Sequence, residues 1–94
     1  MSKYETILVL STKPDEESAK ALLEKFTKLI ADNGTVESVD EWGKRRLAYE
    51  IQKQTEAYYY LINFVSEPEF ISELDRVYNI TDGVLRTIIV RKEQ

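Results

Sequence analysis

The order in which strand-like and helical patterns of apolar residues alternate constrains the fold of this chain more than any other feature. Four stretches have the composition or the two-residue alternation that is typical of β-strands: residues 4–10, 35–51, 57–65 and 84–90. Two stretches with helical spacing lie between them, one after Lys13 and one after Ser66. The order βαββαβ predicts an α+β, ferredoxin-like fold, in which two helices cover one face of a four-stranded antiparallel sheet with strand order 4-1-3-2.

The first helical stretch is bounded by residue types that begin and end helices. We expect Thr12 or Asp15 to cap its first turn, and Gly34 to end it in the left-handed conformation. Its apolar residues recur at intervals of three and four, which predicts one buried helical face made of Ala19, Leu22, Leu23, Phe26, Leu29 and Ile30.

The second helical stretch follows Ser66-Glu67-Pro68-Glu69, which has the pattern of a capping box. Its predicted buried side consists of Phe70, Ile71, Leu74, Val77 and Tyr78. In the strand before it, alternation directs Tyr60, Ile62 and Phe64 towards the helices. The side chains expected on the open face of the sheet are Ile7, Val9, Tyr59 and Leu61. Apolar side chains on an uncovered face indicate a docking partner.

Composition restricts the kind of protein. Ninety-four residues with 43% hydrophobic content suit one soluble domain spanning residues 1–94. Because the chain contains neither cysteine nor histidine, thiolate metal sites and the commonest general base are absent. The sequence also contains no Gly-rich phosphate loop. We therefore expect no catalytic residues, no metal, no cofactor and no small-molecule substrate. No apolar run is long enough to cross a bilayer, so a cytoplasmic protein without a membrane partner is expected.

The segment Trp42–Tyr49 combines charge with aromatic side chains in a chain whose net charge is -4. Three consecutive cations, Lys44, Arg45 and Arg46, lie between the two aromatic residues. This pattern favours an edge strand with an irregularity at Gly43 that presents both charge and apolar surface to a partner. In the alternative interpretation, the cations only protect an exposed strand edge from aggregation. The sequence of the segment leaves both interpretations open.

Four segments together resemble those of a known family: Tyr4-Glu5, Gly43-Lys44-Arg45-Arg46-Leu47-Ala48-Tyr49 with the preceding Trp42, Tyr58-Tyr59, and Ile80–Arg86. The family is the bacterial small-subunit ribosomal protein six, and the resemblance covers essentially the whole chain. Ala57 replaces a glycine that is usual in the family, and the chain ends at Gln94, so we assume no contact made by a longer tail. The resemblance implies a structural protein that pairs with the basic ribosomal protein eighteen and binds the central domain of small-subunit ribosomal RNA.

Residue types and topology suggest two contact surfaces for these partners. The residues expected to contact ribosomal RNA are Lys3, Tyr4, Arg86, Arg91 and Lys92, since Arg and Lys position phosphates and Tyr can stack. The residues expected to contact the partner protein are Trp42, Gly43, Lys44, Arg45, Arg46, Leu47, Ala48, Tyr49 and Tyr59. The alternative for Tyr4 is packing in the core, and the alternative for Arg91 and Lys92 is a solvated terminal strand.

A second function from another class is an RNA-recognition-motif-like module, which has the same topology. Residues 57–64 resemble its aromatic third strand, and such a module would bind single-stranded RNA on the open sheet face without a protein partner. The first strand lacks the matching exposed aromatic residue, and the glycine-rich basic lead-in is missing. These absences favour the ribosomal interpretation.

Overall fold

The computed structural model describes residues 1–13, 15–51 and 53–92, and its elements follow the predicted order. They are β1 (Ser2–Ser11), α1 (Glu16–Asn33), β2 (Gly34–Ile51), β3 (Gln54–Ser66), α2 (Pro68–Ile80) and β4 (Val84–Arg91). The strands pair antiparallel in one sheet of order β2-β3-β1-β4, so that β2 and β4 are its edges. The ferredoxin-like prediction and its strand order are confirmed.

The first helix begins as its sequence predicts. Asp15 is the N-cap, and its Oδ1 accepts hydrogen bonds from the Ser18 backbone N–H at 2.9 Å and the Ser18 hydroxyl at 3.0 Å. Glu16 and Glu17 in the first turn complement the positive end of the helix dipole. Of the predicted apolar face, the buried members are Ala19, Leu23, Phe26 and Ile30, while Leu22 and Leu29 are partly buried.

The helix ends at Asn33, but the prediction of a left-handed Gly34 is wrong. Gly34 has φ of -176°, which is extended backbone, because β2 begins at this residue without an intervening turn. The glycine is needed here for a different reason. Gly34 pairs with Ser66 at the edge of the sheet, and a Cβ atom at position 34 would collide with the backbone oxygen of Val65.

The predicted capping box at α2 is also absent from the structure. Ser66 is buried at the end of β3, and its hydroxyl donates to the Glu67 carbonyl at 3.2 Å instead of capping the helix. Glu67 is the N-cap without a side-chain hydrogen bond, and Pro68 begins the helix, where its fixed φ is favourable. The predicted apolar side is confirmed, with Phe70, Leu74 and Tyr78 buried and Ile71 and Val77 partly buried.

One hydrophobic core joins both helices to the central strands, and Tyr60, Ile62 and Phe64 face it as predicted. Phe26 meets Tyr78 edge-to-face, with ring centroids 4.8 Å apart. The Tyr78 hydroxyl shares a 3.2 Å hydrogen bond with the hydroxyl of Thr6, which satisfies both polar groups inside the core. Burial raises the pKa of Tyr78 well above its ordinary value. The prediction of a single domain over residues 1–94 stays a prediction that this shared core supports.

Candidate interaction surface

The open face of the sheet carries apolar side chains that no helix covers. Ile7 of β1 lies between Leu61 of β3 and Ile88 of β4 in the strand register, so the three side chains form a row across three strands. Ile88 and Val90 are 41% and 46% exposed. An apolar row of this kind is typical of a surface that another molecule covers.

A polar network beside this apolar row joins β1, β2 and β3 to the residue that follows β4. The Lys92 ammonium group, which follows β4, lies 3.5 Å from a Glu5 carboxylate oxygen of β1 and donates to the Asn63 side-chain oxygen of β3 at 3.2 Å. The Asn63 amide then donates to the Ser38 hydroxyl of β2 at 2.9 Å. The network fixes the orientation of these polar groups on the open face.

The edge strand β2 has the predicted irregularity near Gly43. The register shifts between Glu41 and Gly43, so Trp42 is the extra residue of a bulge, and Gly43 has φ of 82°. The Trp42 ring stacks beside Tyr59, with centroids 6.4 Å apart and an interplanar angle of 12°. The Arg45 guanidinium lies 6.0 Å from the Trp42 ring and donates from Nε to the Trp42 carbonyl at 3.3 Å. The structure therefore brings these predicted partner-contacting residues together.

The end of the β2–β3 hairpin bends over the open face. A further register shift lies between Arg46 and Ile51. Hairpin residues from this interval and side chains of the sheet line a cleft of about 80 Å³: Val9, Leu47, Ala48, Tyr49, Ile51, Tyr59 and Arg86. Arg86 donates from Nη1 to the Tyr49 hydroxyl at 3.2 Å, joining the hairpin to β4. Val9 is on the open face as predicted, and it is buried where the hairpin residues line the cleft beside it.

The residues expected to contact RNA do not form one group. Lys3, Arg91 and Lys92 lie at the sheet end where β1 begins, with the Lys92 backbone N–H donating to the Lys3 carbonyl at 2.9 Å. Arg86 lies at the opposite end, across from Val9 and beside the hairpin. Tyr4 is 6% exposed and stacks on Phe64 in the core, with centroids 5.6 Å apart. Tyr4 therefore packs in the core, which is the alternative that the sequence left open.

The sequence-based site left out residues that the structure adds to this surface. Glu5, Ser38 and Asn63 form the polar network, and Ile88 and Val90 extend the apolar row. Alternation in the last strand was a usable signal for the apolar pair, because Ile88 and Val90 are spaced two residues apart. The network had no such signal, since it depends on the register of all four strands.

The described part of the chain contains neither a cluster of metal ligands nor a helix suited to a membrane. Among residues 1–13, 15–51 and 53–92, no group of three or more His, Cys, Asp or Glu side chains is placed to hold a metal ion. No helix within those ranges is both long and apolar enough to span a membrane.

The fold and this surface define a class: a small ferredoxin-like α+β protein with exposed apolar side chains on its open sheet face and β2 as an edge strand. The chain belongs to the Ribosomal protein S6 family, whose sequence profile matches residues 3–91. It is 60% identical over 95 residues to the small ribosomal subunit protein bS6 of Clostridium perfringens, covering 100% of both chains. It is 55% identical over 94 residues to bS6 of Clostridium beijerinckii, covering 99% of both.

A solved structure agrees with the sequence matches. The crystal structure of 30S ribosomal protein S6 from Thermotoga maritima is similar to this fold, with a TM-score of 0.91 and 29% sequence identity. The match covers 97% of this chain and 87% of that chain. The family resemblance predicted from the sequence is confirmed. The protein is therefore a structural protein of the small ribosomal subunit and a component of the cytoplasmic ribosome.

Proposed function

We propose that the protein pairs with ribosomal protein eighteen and that the pair binds the central domain of small-subunit ribosomal RNA during assembly. The observation that carries this proposal is the apolar row of Ile7, Leu61 and Ile88 on a sheet face that the chain's own helices leave open. A folded protein gains stability by covering such a row, and a docked partner does so on assembly.

Charge and shape indicate how a basic partner would fit. The first half of β2 carries exposed Glu37, Asp40 and Glu41 immediately before Trp42, so carboxylates lie next to the aromatic stack. Carboxylates complement a basic partner and guide its approach, while Trp and Tyr side chains commonly anchor interfaces. We place the partner over the apolar row, the Trp42–Tyr59 stack and this acidic part of the edge.

Contact with phosphate requires cations instead of carboxylates, and exposed cations lie at the sheet end where β1 begins. Lys3, Arg91 and Lys92 are exposed there on adjacent strands. Exposed cations on adjacent strands position an RNA backbone without reading its sequence. Because the protein has a net charge of -4, we expect the isolated chain to bind RNA weakly and the pair to bind it tightly.

A mobility-shift titration tests the proposal. This protein, ribosomal protein eighteen and a central-domain RNA fragment are combined singly and together, and tight RNA binding is expected only with both proteins. Failure of the two proteins to associate would contradict the proposal. Tight binding of this chain alone to single-stranded RNA would instead favour the RNA-recognition-motif-like function.

Two matched isoleucine variants test where the partner docks. Ile88→Ala removes an apolar side chain from the open face, whereas Ile80→Ala removes one that is 67% exposed on α2, next to Leu29 and Val77. We expect Ile88→Ala to weaken partner binding by about 1 kcal/mol, roughly fivefold, and Ile80→Ala to leave it unchanged. The reverse result would place the partner on the helical side and exclude the open face.

A further inference from the structure

The hairpin formed by the ends of β2 and β3 differs in charge from the rest of the molecule. Residues 44–56 contain four cations and two carboxylates, a net charge of +2, which leaves -6 for the remainder of the chain. The cations are Lys44, Arg45, Arg46 and Lys53, and all four are exposed. Arg86 of β4 adds a fifth cation beside the hairpin, through its hydrogen bond with the Tyr49 hydroxyl.

Within residues 1–13, 15–51 and 53–92, none of the four hairpin cations forms an ion pair with a carboxylate. The ion pairs between described residues hold Lys20, Lys28, Arg76 and Lys92 against carboxylates. Lys44 and Arg46 have no carboxylate within 4.0 Å in the described ranges, although Arg46 faces Glu56 across the hairpin. A chain with an excess of acidic residues thus keeps a group of cations directed to solvent. Such a group is complementary to a polyanion.

The position of the hairpin separates these cations from the acidic part of the same edge. Glu37, Asp40 and Glu41 precede the Trp42 bulge, and Lys44, Arg45 and Arg46 follow it. The Arg45–Trp42 contact lies within β2, and the Arg86–Tyr49 hydrogen bond joins the hairpin to β4. Two surfaces of opposite charge therefore meet at Trp42, and one partner does not complement both.

We infer that the basic hairpin, defined by Lys44, Arg45, Arg46 and Lys53, contacts phosphates of the ribosomal RNA and not the partner protein. This inference rests on the proposed function and reassigns the cations of the segment Trp42–Tyr49, which the sequence had associated with the partner. Of the two proposed partners, only RNA is a polyanion. The hairpin is then a second phosphate-binding region, at the end of the sheet opposite to Lys3 and Lys92.

The salt dependence of RNA binding tests this assignment. The double variant Lys44→Gln/Arg46→Gln removes two of the unneutralised charges, and Lys20→Gln/Lys28→Gln on α1 is the control with the same change in net charge. The pair with ribosomal protein eighteen is titrated with the central-domain RNA fragment over a series of salt concentrations. A second titration measures the association of the two proteins without RNA, and thermal melts check the fold of each variant.

We expect the slope of log K against log salt concentration to become shallower by about 0.7–0.9 for each phosphate that the hairpin variant no longer neutralises. The control slope and the protein–protein affinity should not change. An unchanged slope in the hairpin variant would overturn the inference, and a simultaneous loss of partner affinity would assign the cations to the protein interface. An equal change in the control would also overturn it. If the unsubstituted pair does not bind the RNA, the proposed function itself fails, which is a distinct result.

Discussion

The two faces of the sheet are built from alternate residues of the same strands, but the chain completes only one of them. On the covered face, Ile62 and Phe64 are fully buried under the helices, and the Thr6 and Tyr78 hydroxyls satisfy each other. On the open face, Ile88 remains exposed next to a row of polar contacts. The covered face therefore supplies the core that specifies the fold, while the open face keeps apolar side chains exposed.

A matched pair of substitutions, one on each face, gives the largest expected difference in the free energy of unfolding. Ile62→Ala empties a fully buried position in β3, and we expect a loss of about 2–5 kcal/mol in the free energy of unfolding. Ile88→Ala makes the same chemical change in β4 on the open face and should cost about 1 kcal/mol or less. Urea denaturation of both variants measures the difference. Equal losses would show that the open face contributes to stability as a core does.

The covered face was largely predictable because its signals are local and repeated. Phe26 and Leu74 lie at helical spacing from other apolar residues, and Ile62 lies in a strand with two-residue alternation. The backbone conformation of Gly34 after α1 and the capping of α2 by Ser66 were mispredicted, because their sequence patterns have more than one structural outcome. Gly34 allows β2 to approach the backbone of β3 closely and does not form a left-handed turn. Ser66 lies at the end of β3, and its hydroxyl does not cap the helix.

The open face was harder to predict because its neighbours come from distant parts of the chain. Arg86 was grouped with Lys3 from their places on adjacent strands, but the antiparallel register puts them at opposite ends. The contact between Arg86 and Tyr49 requires the register shift beyond Arg46, for which the sequence offers no local signal. By contrast, the bulge at Trp42 was indicated by the adjacent Gly43.

The pH dependence of stability tests the burial of Tyr78 on the covered face. Because burial raises the pKa of Tyr78, the folded state keeps its proton at pH values where the unfolded state loses it. This contribution is complete below the ordinary tyrosine pKa of about 10 and is lost as the pH rises above it, by at most about 1.4 kcal/mol per pH unit.

Urea unfolding between about pH 9 and 11 measures this loss, with Tyr78→Phe as the control. The phenylalanine variant cannot lose a proton at this position, so its stability should fall less steeply with pH than that of the unsubstituted protein. The difference between the two slopes isolates the contribution of Tyr78, because every other residue is the same in both proteins. Parallel slopes would mean that the hydroxyl is not protected by burial.

The smallest expected effect lies on the open side, at the hydrogen bond between Arg86 and Tyr49. Tyr49→Phe removes only the hydroxyl, and because the bond is exposed we expect a loss of about 0.5 kcal/mol or less in global stability. Local opening should change more than global stability, since the bond joins the hairpin to β4 across the open face.

Amide hydrogen exchange separates the local effect from the global one. In Tyr49→Phe, we expect faster exchange at the paired amides of the hairpin, around Arg46 and Glu56, with unchanged exchange at Leu8 and Ile62 in the central strands. Tyr58→Phe is the control, because it removes a hydroxyl from the same hairpin without breaking the contact to Arg86. Equal exchange in both variants would show that the hairpin is held against the sheet by its apolar contacts with Val9 and Tyr59, so that Arg86 remains free to turn towards RNA.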